Sequence, residues 1–205
     1  MAYTGGELNW LNGRYGISAP ANSVPVMKLI RTHCPKTRSE LCELIGWHYR
    51  TVCPCGIRSR GTVADFGKNL YDAQMRAWGR YRYSLRDCIQ WEYDLFVSQS
   101  LKGRALENSA MTQLRAALPH LIFTEARGYL DEELRIDILI QQENRILGGV
   151  QVKPRSFNHM RQGVIHRNHA ANRKLGRPVI YLFYDNAERF VNLPEALAAI
   201  RRAGK

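Results

Sequence analysis

The sequence predicts an α/β fold, a β-sheet with helices packed on it, preceded by a mainly helical region. Three observations carry that expectation. "ELRIDILIQ" and "ILGGVQVK" alternate apolar and polar residues on either side of the polar turn "QENR", the period-two pattern of a hairpin. "RPVIYLFYD" is a continuous apolar run, expected of a buried strand. Around the strands, apolar residues recur at helical spacing.

In chain order, the first thirty residues are rich in Gly, Asn, Ser and Pro and read as an irregular arm. "KTRSELCELIGWHYR" reads as a helix, with Thr37 or Ser39 as cap and Leu41, Leu44 and Ile45 on one face. "TVCPCGIRSRG" is a turn-rich break, and the stretch from Thr62 to Leu101 reads as two helical segments. Leu106, Ala110, Leu114 and Ala117 then share a helix face, and Pro119 stops the helix. "LIFTEARGYL" is a short strand with a Gly turn, followed by the hairpin. Met160, Val164, Ala171 and Leu175 mark the stripe of a next helix, ended by Gly176. "RPVIYLFYD" is the last strand, and "LPEALAAIRRA" a last helix with Pro194 in its first turn. The expected division is a helical region over 1–100 and an α-β-β-β-α-β-α unit over 101–205.

The chain has 205 residues and a net charge of +12. A field that positive attracts polyanions, nucleic acid foremost. The charge is uneven. Residues 1–100 hold 13 Lys and Arg against 8 acids, residues 101–144 hold 5 against 7, and residues 145–205 hold 12 against 3. The one acidic island lies beside the hairpin, as suits a cation held against a phosphate chain. No run of 18 apolar residues and no signal pattern occurs, so a cytoplasmic protein without membrane partners is expected. Among short motifs, no P-loop, G-x-G-x-x-G, G-x-S-x-G or H-E-x-x-H is found.

Alternation assigns the hairpin's faces. Leu134, Ile136, Ile138 and Ile140 fall on one side of the first strand and Asp137 on the other. Val150 and Val152 fall on one side of the second strand, Gln151 and Lys153 on the other. If the aliphatics pair, Asp137, Gln151 and Lys153 converge. Any half-buried hairpin has a polar face, so the alternative is ordinary surface polarity. Against it stand Glu107, placed to reach the same strand end, and the basic helix that follows Lys153. Gly148 and Gly149 would let a ligand or partner backbone come close.

Such a cluster suits phosphodiester hydrolysis. Asp137, the Gln151 side-chain carbonyl, the Val152 backbone carbonyl and Glu107 are oxygen donors for Mg²⁺, with Mn²⁺ able to substitute. Lys153 would stabilise charge developing at phosphorus.

The pieces "RALE" (Glu107), "RID" (Asp137) and "QVK" (Gln151, Lys153), in this element order, resemble the PD-(D/E)xK nuclease superfamily over about residues 100–190. The resemblance implies a restriction endonuclease-like core, a mixed sheet flanked by helices. It also implies an Mg²⁺ site built from those residues and products with 5′-phosphate and 3′-hydroxyl ends. Ile136 stands where the family's name has Pro, and Gln151 replaces an acid. A Q-x-K version is similar to that of Mrr-type nucleases. "GVQVKPRSF" and "KLGRPVIYLFYD" also resemble Type II restriction enzymes of the MjaI kind. The expectation is therefore a sequence-specific Type II restriction endonuclease acting on double-stranded DNA as a homodimer. The alternatives are a DNA-binding protein with a zinc-stabilised N-terminal half, and a structure-specific repair or recombination nuclease.

Arg155, Arg161, His166, Arg167 and Arg173 follow Lys153 as a phosphate-binding face, with Arg58, Arg60 and Lys68 as N-terminal contacts. The alternative for each is a plain solvated position. Cys34, Cys42, Cys53 and Cys55, with His33 and His48 nearby, offer a structural Zn²⁺ site, the alternative being reduced thiols. Five cysteines in all argue against a disulfide framework.

Overall fold

The structure is a computed structural model that describes residues 6–18 and 24–204. It divides into two compact units, residues 1–103 and 104–205.

The first unit is helical: α1 (Glu7–Tyr15), α2 (Val26–His33), α3 (Arg38–Arg50), α4 (Val63–Trp78) and α5 (Leu85–Tyr93), followed by a π-turn (Asp94–Ser98). Where the first thirty residues are described, the expected irregular arm is instead largely two helices. Each carries a short apolar face, Leu8 and Leu11 on α1 and Leu29 and Ile30 on α2, and those faces are buried. Burial outweighs the weak helix preference of Gly and Asn. Residues 1–5 and 19–23 of that stretch lie outside the described residues. The later helices start on side-chain caps, the first of them the expected Thr37. Thr37 caps α3, and Thr62 and Ser84 each form a reciprocal capping box with an Asp three residues on. Two apolar clusters hold the unit, one around Leu41, Ile45, Phe66 and Phe96, the other around Leu11, Leu70, Ala73 and Trp91.

α6 (Gln99–Ala117) leads into the second unit, followed by β1 (Ile122–Glu125), α7 (Tyr129–Glu132), β2 (Ile138–Gln142), β3 (Arg145–Pro154), a 3₁₀ turn (Arg155–His159), α8 (Gln162–Arg173), β4 (Val179–Tyr184) and α9 (Leu193–Ala203). The sheet order is β1-β2-β3-β4. The first two pairings are antiparallel and the last is parallel, so the sheet is mixed and flanked by helices, as expected. The β2–β3 turn places Glu143 and Asn144 at φ 47° and 64°, which gives the two-residue turn the twist a hairpin needs.

One face of the sheet is apolar. Phe123, Ile138, Ile140, Val150 and Leu182 pack with Ala110 and Leu114 of α6 and Ala196 and Ile200 of α9. Each of the larger aliphatic and aromatic side chains contributes about 1.5–3 kcal/mol through burial.

Three details depart from the sequence pattern. First, the alternation read from Leu134 onward begins only at Ile138. Arg135 is left-handed at φ 58°, so Leu134 and Ile136 join Ala126 and Leu139 in a separate cluster. Second, the stripe read through Met160 is not the buried face of α8. Met160 precedes the helix and is exposed, and the buried positions are Asn168 and Asn172. Third, the open approach expected at Gly148 and Gly149 is occupied by the protein's own chain. A Cβ on Gly148 would lie 2.5 Å from the Pro178 carbonyl oxygen, and one on Gly149 2.8 Å from Ile136.

Candidate active site

The β2–β3 register sets Ile138 opposite Val150. One step back, the Asp137 N–H donates to Val150 O at 3.0 Å, and the Asp137 carbonyl accepts from the Ala126 N–H at 3.0 Å. Asp137 thus sits at the mouth of β2, still tied to both neighbouring strands. Beyond it the left-handed turn at Arg135 carries the chain away from β3. The Asp137 side chain covers the gap: its Oδ2 accepts from the Val152 N–H at 2.7 Å. A carboxylate here replaces a missing ladder carbonyl, and the charge strengthens the bond.

Gln151 is fully buried. Its amide pairs reciprocally with that of Asn168: Asn168 Nδ2 donates to Gln151 Oε1 at 2.6 Å, and Gln151 Nε2 donates to Asn168 Oδ1 at 3.2 Å. Asn168 Nδ2 also lies 2.7 Å from the Tyr181 hydroxyl. That hydroxyl donates to Asn172 Oδ1, and Asn172 Nδ2 donates to Leu134 O at 2.8 Å. Tyr181 is the residue facing Gln151 from β4. Burial pushes the Tyr181 phenol above its ordinary pKa, so it remains a neutral donor. The network satisfies polar groups that would otherwise be costly to bury. It also anchors the helix that bears the predicted basic face.

Lys153 lies two residues beyond Gln151, on the same side of β3 and half-buried. Among the described residues its ammonium has no hydrogen-bond or ion-pair partner. Glu107, on α6, lies 3.7 Å from Arg104, which also binds Glu125 of β1 at 2.5 Å. Arg127 holds the other oxygen of Glu125 at 3.3 Å. Glu125, at the end of β1, is an acid that the sequence reading passed over. Its signal was available: an acid closing a strand beside the hairpin.

Arg155 on the 3₁₀ turn, Arg161 just before α8, and His166, Arg167 and Arg173 on α8 are all exposed. Arg58, Arg60 and Lys68 are exposed on the first unit. The four cysteines grouped as a zinc set are not one cluster. Cys53 and Cys55 come together with His48, whereas Cys34 is exposed elsewhere and Cys42 packs against an apolar cluster of α2, α3 and α4. The reason is helical geometry, which points Cys42 toward the core beside Leu41 and Ile45 and leaves His48 facing the loop.

Asn168, Asn172 and Tyr181 were not singled out from sequence. An i, i+4 pair of Asn on one helix face was the legible sign, masked by apolar neighbours that suggested a different stripe.

The family described as MjaI restriction endonuclease matches residues 7–191, a span that enters both units. No curated protein matches, and no solved structure does. No helix of the described residues is long and apolar enough to cross a membrane.

Proposed function

The chain belongs to the MjaI restriction endonuclease family and is a DNA endonuclease, and from that premise we propose that Asp137, Gln151 and Lys153 form its phosphodiester-cleaving centre. The observation that carries this reading is the contact between Asp137 Oδ2 and the Val152 N–H. It fixes a carboxylate across the hairpin from a Gln-x-Lys segment, where the strands part.

The oxygens proposed as donors are the Asp137 carboxylate, the Val152 carbonyl, the Gln151 carbonyl, which also accepts from Asn168 at 2.6 Å, and the Glu107 carboxylate on α6. That chemistry fits a hard divalent cation, Mg²⁺, with Mn²⁺ able to replace it. When bound, the cation would supply charge neutralisation at the scissile phosphate and a more acidic water. Asp137 supplies negative charge and is oriented by β3. Gln151 contributes an amide oxygen in place of a second acid, positioned by Asn168. Lys153 presents an ammonium to the charge that builds up on phosphate oxygens. Arg155, Arg161, His166, Arg167 and Arg173 hold the DNA backbone beside the centre. Arg58, Arg60 and Lys68 make further phosphate contacts. The enzyme acts as a homodimer on a short palindrome in double-stranded DNA, cutting both strands. Lambda-type phage DNA incubated with Mg²⁺, with Mn²⁺ and with chelator tests this reading. Discrete metal-dependent fragments are expected. Cleavage of branched DNA alone would replace sequence specificity with structure specificity.

A further inference from the structure

A second cluster of ligand-type side chains lies at the end of α3, in the first unit. One ring nitrogen of His48 and the sulfurs of Cys53 and Cys55 lie within 4.8 Å of one another. His48 Nε2 is 3.2 Å from Cys55 Sγ, and its Nδ1 is 2.6 Å from the Ser59 hydroxyl. His48 and Ser59 are both buried. The hydroxyl holds the imidazole by one nitrogen and aims the other at the sulfurs, the arrangement by which metal-ligating histidines are oriented.

The loop itself supplies a second argument. Residues 51–61 form neither helix nor strand. Val52 is 99% exposed and Ile57 is exposed too, so apolar burial does not fix the loop's path. Instead, backbone N–H groups point at sulfur: Cys55 N–H lies 3.5 Å from Cys53 Sγ, and Ile57 N–H lies 3.4 Å from Cys55 Sγ. Lys28 Nζ also ties the loop down by donating to Cys55 O at 3.1 Å.

We propose that His48, Cys53 and Cys55 bind a zinc-class divalent ion that staples the loop to α3, with a water completing the coordination. Thiolate and imidazole together select such a metal over Mg²⁺. A tetrahedral ion about 2.3 Å from sulfur and about 2.0 Å from nitrogen puts its ligands roughly 3.5–3.8 Å apart, within reach of the arrangement present. Binding forms two metal–sulfur bonds and one metal–nitrogen bond and releases the two thiol protons to solvent. Cys34 and Cys42 take no part. The staple fixes the segment carrying Arg58 and Arg60, just past Cys55. The assignment does not depend on the nuclease site.

The test uses the full chain, reduced and metal-free, titrated with Co²⁺. One equivalent should give a sulfur-to-cobalt charge-transfer band and the intense visible bands of a tetrahedral site, both removed by Zn²⁺. C53S and C55S should each abolish the charge-transfer band or sharply weaken it, while C34S and C42S leave it intact. Absence of a stoichiometric signal in the parent protein overturns the proposal. So does a C53S and C55S pair that binds as the parent does, or loss of the signal in C34S. If the loop variants do not fold, alkylation of the parent decides. Zn²⁺ should shield Cys53 and Cys55 from iodoacetamide and leave Cys34 reactive, and unchanged labelling of Cys53 and Cys55 overturns the proposal. These readouts contain no DNA, so their failure is distinct from failure of the nuclease reading.

Discussion

The side-chain amides of Gln151 and Asn168 exchange two hydrogen bonds, at 2.6 and 3.2 Å, in a fully enclosed position between β3 and α8. This pairing explains why an amide suits position 151. Asn168 Nδ2 and the Tyr181 hydroxyl belong to one network, and Gln151 completes it with both a donor and an acceptor. A carboxylate at this position could only accept.

Gln151→Glu should therefore lose stability in chelator, by about 1–3 kcal/mol, because Asn168 Oδ1 loses its donor and a charge is buried. If position 151 contributes to a cation site, Mg²⁺ or Mn²⁺ should raise the variant's melting temperature more than the parent's, since the ion binds the folded state alone. Equal metal responses in the two proteins would remove Gln151 from the ligand set. Asn168→Leu, which leaves Gln151 unpartnered, should cost a similar amount in denaturant unfolding.

Much of the second unit was legible because its signals are local. Alternation in "ILGGVQVK", the apolar run before Asp185 and Pro194 at the start of α9 all depend on a few neighbouring residues. Strand periodicity put Gln151 and Lys153 on one side of β3, but the register that brings Asp137 beside Val152 needed the fold. The left-handed Arg135 was not legible, since that conformation is imposed by packing of Leu134 and Ile136. The polar buried face of α8 was hidden for a related reason: Asn168 and Asn172 are inside only because Gln151, Tyr181 and the Leu134 carbonyl give them partners. His48, Cys53 and Cys55 were legible as ligand types, but singling them out from Cys34, Cys42 and His33 needed the tertiary contact across an aperiodic loop.

Gly148→Ala should unfold the second unit more readily. The added Cβ would meet the Pro178 carbonyl at 2.5 Å, and backbone cannot yield as a side-chain tip would. An overpacking loss of about 1–3 kcal/mol is expected in denaturant titration. Wild-type stability would mean that β3 and the segment before β4 approach less closely than described.

Glu92 gives the first unit a pH dependence. Burial holds its carboxyl up at about 7, against an ordinary 4.5, despite the Ser18 hydroxyl 3.3 Å away, and Oε2 has no partner among the described residues. A raised pKa means that the folded state holds this proton more tightly than the unfolded one. Stability from this group is therefore fully present below pH 4.5 and is lost as pH rises through 7. Glu92→Gln should flatten that slope and be the more stable protein at pH 8. An unchanged slope would place the titration elsewhere.

The exposed arginines predict salt behaviour. Replacing Arg167 or Arg58 by Ala should weaken binding to all DNA sequences alike. Each should reduce the slope of log affinity against log salt by about one where a phosphate contact is lost. An unchanged slope would return that residue to plain solvated surface.

The most direct measurement is Mg²⁺-dependent DNA cleavage by the parent protein, Asp137→Ala and Lys153→Ala, with DNA binding followed in parallel. The parent should give discrete fragments. Each variant should bind DNA yet cut slower by at least about 100-fold, the scale of losing one electrostatic contribution to a transition state. A variant that cuts at the parental rate would contradict the placement of the active site at the mouth of β2.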